Sequence, residues 1–308
     1  MLRSSSGEGP TIPLDVADDF GAQKPTSPGG PFQPQIAAPL TSRMSNSSSV
    51  TRSPPLLKET DLKLGEMTWP EVKALDKTNV VPVYPIASFE QHGPHLPFLT
   101  DTMETDEIVN RLNTRIPDEV ICLPTQWLGY SFHHMRFGGS ITATSDTHIN
   151  VIAETVGCLI TAGFSRLLIV NGHGGNEADM AVALQKIKEV HEDSKVFATS
   201  HWRLVGPQLD AIKEAGPLGS GHAGEMETSM MLVIRPDLVK AERPDLDGIH
   251  PESAYGGVVS QFQRMDERTR VGVHGDPTFG TAEKGERMLE AIVDGLVDVV
   301  HDIQSGQL

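Results

Sequence analysis

Residues 88–101 read SFEQHGPHLPFLTD and place Glu90, His92, His95 and Asp101 in one short stretch. Imidazole and carboxylate groups cost free energy to bury, so such a cluster beside an apolar strand calls for a ligand. A metal ion is one. Neutral imidazole and carboxylate oxygen together suit zinc, manganese or ferrous iron. Glu90 and His92 are two apart, so on extended backbone both point to the same side. Gly93-Pro94 then breaks the strand and lets Asp101 return towards them. One carboxylate shared between two metals, with separate ligands on either side, is how a two-metal hydrolase makes hydroxide at neutral pH. His173, in NGHGGN, is expected to join from a neighbouring strand end, where glycines allow close approach.

Each motif has a simpler reading. EQHGPH alone could be a satisfied polar turn. NGHGGN alone could cradle a phosphate on helix N-terminal amides, although that segment carries neither a Walker lysine nor a GxGxxG. GHAGEMETSMML (221–232) could be an ordinary helix start. Its apolar continuation, however, buries that helix, and His222, Glu225 and Glu227 at its entrance then need partners. The simple account needs three coincidences at once.

These residues must be positioned by a scaffold, and the order of elements indicates which. Short runs rich in β-branched residues at 80–88, 119–124, 166–172 and 195–200 read as buried strands. Between them, 101–115 (after Thr100 as N-cap), 147–163 and 176–193 (with Asn176 as N-cap) have helical spacing. A last amphipathic helix spans 282–303 and is expected to pack on the outside. Alternating strands and helices predict an α/β fold, a three-layer αβα sandwich whose mainly parallel sheet has helices on both faces. In open α/β sheets, sites form at the carboxyl ends of the strands. SFEQHGPH and NGHGGN directly follow strands, LGYSFHHMRFGG follows EVICLPTQW and SHWR follows KVFAT, so four polar clusters fall on one rim.

Residues 1–58 are a different polymer. Residues 1–55 hold nine of the 22 prolines and ten serines, with no apolar run of element length. Such a segment cannot offset its ordering entropy and reads as a disordered tail. It lacks a secretory apolar stretch, and its acidic residues argue against a transit peptide. Residues 59–308 suffice for one α/β domain. No apolar run is long enough to span a membrane. The net charge of −16 disfavours nucleic acid and anionic membranes as partners. Cys122 and Cys158 both lie in apolar stretches, so two buried thiols and a reducing cytoplasm are expected.

The motifs FEQHGPHLPFLTD, FHHMRFGGSITAT, LLIVNGHGGN and GHAGEMETSMML, with a fainter GDPTFGTAEKGE, resemble the creatininase family of metal-dependent amidohydrolases over about residues 62–304. The resemblance implies an αβα sandwich, a site for two divalent metal ions per subunit and a homohexamer acting on a small-molecule substrate. It places Glu90, His92, Asp101 and His173 as metal ligands, with Asp101 bridging. It makes His222 the group that passes a proton to the leaving nitrogen, and Ser131 a substrate contact. His133, His134, Arg136 and Trp202 are further pocket candidates. One departure matters. Where creatinine hydrolases carry a metal-binding glutamate two residues after the histidine, this chain has Gly175. Glu227 is the expected replacement; Glu225 is second choice for that place and a further catalytic candidate. Creatinine itself is thereby disfavoured. The expected activity is hydrolysis of a C–N bond in a cyclic amide or formamide. The alternatives are an oxidised inositol-type ring as substrate, or a catalytically idle metal-binding oligomer.

Overall fold

Four parallel strands in the order β2-β1-β3-β4 form the sheet: β1 Val81–Ile86, β2 Val120–Cys122, β3 Arg166–Asn171 and β4 Lys195–Ser200. The structure, a computed structural model, describes residues 63–245, 259 and 261–308, and the tail expected over 1–58 lies outside them. Eight α-helices accompany the strands among the described residues: α1 Trp69–Ala74, α2 Thr100–Arg115, α3 Ser145–Thr161, α4 Glu177–Val190, α5 His201–Leu204, α6 Gly206–Asp210, α7 Glu225–Ile234 and α8 Ala282–Ser305.

The alternation of side chains across the strands separates two cores. Val81, Val83, Leu168 and Val170 pack with α2, α7 and α8 through Ile108, Leu112, Met230, Met288 and Ile292. Tyr84, Ile86, Leu167 and Ile169 face the other way, onto Ile152 and Val156 of α3 and Ala183 and Ile187 of α4. Helices therefore cover both faces, giving the expected αβα sandwich. Among the described residues no helix is long and apolar enough to cross a membrane.

Two prolines lie in β1, an internal strand, where a missing N–H usually breaks the ladder. Pro82 precedes the β1–β3 register, which begins at Val83↔Leu168. Pro85 lies past the end of β2, where only its carbonyl is used, accepting from Gln126 N at 3.0 Å. Both therefore sit where an N–H is not missed.

The helix limits differ from the sequence reading where side chains have other work. Leu99, not Thr100, is the N-cap of α2, and the Thr100 hydroxyl instead donates to Pro97 O at 2.7 Å. α3 begins two residues early because Thr144 caps it, accepting from Thr147 N. Asn176 holds the cap position of α4, but its side chain makes no capping bond. Its amide donates to Ala87 O and accepts from Tyr130 N, tying two site loops together. Cys122 is buried as expected, whereas Cys158 lies on the outer side of α3 and is exposed, because α3 buries only one face.

α7 and α8 cross closely at Gly285. A Cβ there would overlap Ser229 C and O and come within 2.9 Å of Met230 N. Alanine is intrinsically the better helix residue by about 1 kcal/mol, but backbone overlap costs about 1–3 kcal/mol. Gly285→Ala is therefore expected to lower the urea midpoint of unfolding. A raised midpoint would show that the two helices part at little cost.

Candidate metal centre

The segment after β1 runs along the carboxyl rim of the sheet and buries Glu90 and His92, each about 1% exposed. Gly93 then takes a positive φ of 65°. That turn leads to α2, whose first turn brings Asp101 back against them. Asp101 Oδ1 is 2.8 Å from His92 Nε2, and Oδ2 is 2.9 Å from His173 Nδ1. Ser88 Oγ also donates to Oδ2, at 2.7 Å. One carboxylate thus spans two imidazoles from two strand ends. Each imidazole has a further carboxylate beside it: Glu227 Oε2 is 3.8 Å from His92 Nε2, and Glu90 Oε2 is 3.3 Å from His173 Nε2.

His95 is not part of this cluster. Its Nε2 lies 3.1 Å from Thr228 Oγ1 on α7. Glu225 is also elsewhere, contrary to its candidacy as a catalytic group. Its carboxylate accepts from Glu214 N, Ala215 N and Lys284 Nζ, so it braces the loop before α7 and has no lone pair turned to the centre. The side chain two residues on, Glu227, is the one that faces inwards, and its Oε2 accepts from Ala223 N at 2.5 Å. Gly175 could not supply a ligand in this backbone. A Cβ there would overlap Tyr130 O and His173 Nε2.

The electrostatics follow from the packing. Burial opposes a charge on His92, but Asp101, then Glu227 and Glu90, outweigh it and lift the imidazole to about 9. Burial likewise opposes His173, which Glu90 and Asp101 hold well above the usual range. Asp101 is penalised by burial yet held well below the carboxylate range by His92 and His173. Burial pushes Glu227 up to about 7, against the pull of His92. Glu104, one turn after Asp101, is raised well above its usual value by burial, then by Glu227 and Asp101. Burial and the His92 charge keep His222 neutral.

Hydrogen bonds assign the ring protons. Gln91 Oε1 accepts from Gly93 N at 2.8 Å, which fixes the amide, so Gln91 Nε2 donates to His134 Nδ1 at 2.8 Å. His134 Nε2 then carries the proton and faces Glu90 Oε1 at 3.2 Å. His222 Nε2 donates to Gln91 O at 2.8 Å, leaving its Nδ1 open, 3.5 Å from Glu90 Oε1. Asn171 and His173 are locked by a backbone–amide exchange at 2.8 and 3.1 Å.

The centre opens into a cavity of about 800 Å³ bordered by Tyr130, His133, Trp202, Phe262 and Arg268. Ser131 is fully buried with its Oγ 3.4 Å from His173 Nε2. His133, His134 and Trp202 border the cavity as expected; Arg136 is exposed and does not. Gln91, Glu104, Phe262 and Arg268 were not foreseen. The spacing of Asp101 and Glu104 on one helix face could have signalled the second carboxylate.

The residues suit divalent ions. Three groups offer ligand atoms within 4.8 Å of one another: Glu90/His92/His222, Glu90/His133/His173 and His92/Asp101/Glu227. Glu90 Oε2 is buried with no hydrogen-bond partner, which an ion would satisfy. Residues 65–300 match the family model described as creatinine amidohydrolase. The chain belongs to the creatininase family. Members of that family are metal-dependent amidohydrolases, and this chain is an enzyme of that class. The mycofactocin precursor peptide peptidase of Mycobacterium ulcerans is 30% identical, over 81% of this chain and 93% of its own. The creatinine amidohydrolase of Pseudomonas putida is 28% identical over 78% and 96%. The 3-dehydro-scyllo-inosose hydrolase of Thermotoga maritima is 25% identical over 77% and 82%. Among solved creatininase structures, the manganese form matches with a TM-score of 0.66 at 25% identity, over 79% of this chain and 98% of that one.

Metal uptake by this family member must displace protons, because a ligating imidazole is neutral. At pH 7 His92 and His173 are both protonated in the metal-free protein. Loading a divalent ion is expected to release a proton from each, measured by calorimetry in buffers of different ionisation enthalpy. A release near zero would show that the two imidazoles are already neutral before the metal arrives. In the metal-free protein the raised His92 contributes stability that is complete below about 6.5 and lost as pH rises through about 9. The lowered Asp101 contributes above about 3.9 and loses that contribution as pH falls further. The melting temperature without metal is therefore expected to fall on the alkaline side, near pH 9.

Proposed function

We propose that this chain hydrolyses a carbon–nitrogen bond of a cyclic amide or formamide at a centre of two divalent ions, zinc, manganese or iron. Following the resemblance, His92, Asp101 and Glu227 would hold one ion, and Glu90, His173 and Asp101 the other; the first three already offer converging ligand atoms, whereas Asp101 and Glu90 meet opposite ring nitrogens of His173. The observation that carries this reading is Asp101, whose two oxygens face different histidines, each with its own further carboxylate. Bound there, such ions would polarise a carbonyl and ease ionisation of an attacking water.

The chain's own groups do the rest. His222 is neutral, its Nε2–H is engaged by Gln91 O, and its open Nδ1 faces the centre. It can take the proton of the attacking water and give it to the nitrogen as the C–N bond breaks. Water thus adds to the carbonyl carbon, and the amine leaves with the proton. His133, whose half-buried imidazole is lowered to about 4 by desolvation, stays neutral and can donate or accept hydrogen bonds to the substrate. Trp202 borders the same cavity, while Ser131, fully buried beside His173, is a substrate contact by the resemblance alone. A homohexamer in the cytoplasm is part of the same proposal and rests on the resemblance and on thiol usage.

A second reading keeps the centre and replaces the substrate by an oxidised inositol-type ring, favoured by the Thermotoga maritima relative. An idle metal-binding oligomer had Gly175 as its support, and Glu227 facing His92 weakens it. Metal-loaded protein assayed against formamides, lactams and an oxidised inositol separates the three. Amine release from the formamides and ring opening of the lactams to amino acids are expected. His222→Gln is expected to cut the rate by about 10²–10⁴-fold with metal content kept, whereas Asp101→Ala loses both. Turnover of the inositol alone would favour the second reading. No turnover by fully loaded protein would favour the third.

A further inference from the structure

We infer that Arg268 anchors a carboxylate on the substrate, so that the preferred amide carries an acidic group beside an apolar one on its nitrogen side. This rests on the hydrolase reading of the centre. Arg268 follows the turn Met265–Glu267 and borders the same cavity as Glu90, Asp101 and Glu227. It is half-buried, and among the described residues no carboxylate lies within ion-pairing distance of it. Its partner among the described residues is an imidazole: Nη2 lies 2.9 Å from Nε2 of the His274 ring. That contact orients the guanidinium and leaves Nε and Nη1 without an acceptor among the described residues.

A desolvated guanidinium is costly unless an anion meets it, and its planar fork matches a carboxylate with two parallel hydrogen bonds. The other arginine on the cavity is already committed. Arg203 donates to both oxygens of Glu177, at 2.5 and 2.7 Å. Among the described residues that line the cavity, Arg268 is the one cation without a carboxylate partner, which matches a single negative charge better than a phosphate dianion. The wall beside it is aromatic. Phe262, 58% exposed, has its ring 6.4 Å from Tyr130 and 6.3 Å from His133. His133 in turn belongs to one of the ligand groups with Glu90 and His173, so the wall leads straight to the centre. The anchor is also tied to the proton-carrying loop, since His274 N donates to His222 O at 2.9 Å. Arg136, the arginine that sequence alone offered for an anionic substrate, has no access to this cavity.

The test uses two formamides that differ only in the carboxylate, N-formylphenylalanine and N-formyl-2-phenylethylamine. Their dissociation constants and kcat/KM are measured on metal-loaded full-length wild type, Arg268→Gln and Arg268→Lys. Wild type is expected to bind the carboxylate member about 10- to 100-fold more tightly, the span of a hydrogen bond to a charged group. The ratio is expected to fall close to one in Arg268→Gln and to lie between in Arg268→Lys, which keeps charge but not the fork. Equal binding of the pair by wild type overturns the anchor. So does a preference that survives in Arg268→Gln, because the carboxylate would then be held by the metals. A preference in binding that depends on Arg268, with neither compound hydrolysed, keeps the anchor and overturns the formamide half of the proposed function.

Discussion

Asp101 is the group on which the rest of the centre depends. Its carboxylate is almost fully buried, and no ionised carboxylate persists in such a place without opposite charge or hydrogen bonds on both oxygens. His92, His173 and Ser88 supply them. The consequence is a chain of alternating carboxylates and imidazoles, Glu227–His92–Asp101–His173–Glu90. Metal ions and protons compete for the same lone pairs. The site is therefore a reservoir of displaceable protons, which is what a centre for divalent ions requires.

The fold serves this chain of charges by geometry. β1 and β3 are adjacent and parallel, so the segments leaving them, with Glu90 and His92 in one and His173 in the other, emerge side by side. α2 returns Asp101 between them, and α7 brings Glu227 in beside His92. The outer ring is held as firmly. Asn176, Asn171 and Gln91 spend their amides on loop backbone and ring nitrogens, and Glu225 spends its carboxylate on the loop before α7. Such partners fix tautomers and aim ligands.

The sequence exposed the centre because its residue types are rare in buried loops and its motifs directly follow apolar runs. Glu90, His92, Asp101 and His173 were legible from type and position. Glu227 over Glu225 was legible once Gly175 had removed the usual ligand, although only the backbone shows that no side chain fits at 175. What escaped were contacts made across the chain. Arg268 and Phe262 come from a segment with no motif, and nothing in local pattern says they face the same cavity as residue 90. Arg136 failed for the converse reason: it lies in a site motif but on the outer side of its turn. The parallel sheet with helices on both faces was legible from the alternation of strands and helices, whereas its strand order and register come from the structure. The cap residue of α4, Asn176, was legible as well, although its side chain serves tertiary contacts and not the cap, while α2 and α3 begin one and two residues before the expected positions.

Whether Glu227 completes a two-metal centre around Asp101 is tested most directly by metal content per chain, measured on wild type and Glu227→Ala purified alike. Close to two ions in wild type and about one in the variant, with the fold intact, is the expected result. One ion or fewer in both proteins would contradict it, because Asp101 would then bridge nothing and Glu227 would be a buried acid with no ligand to hold.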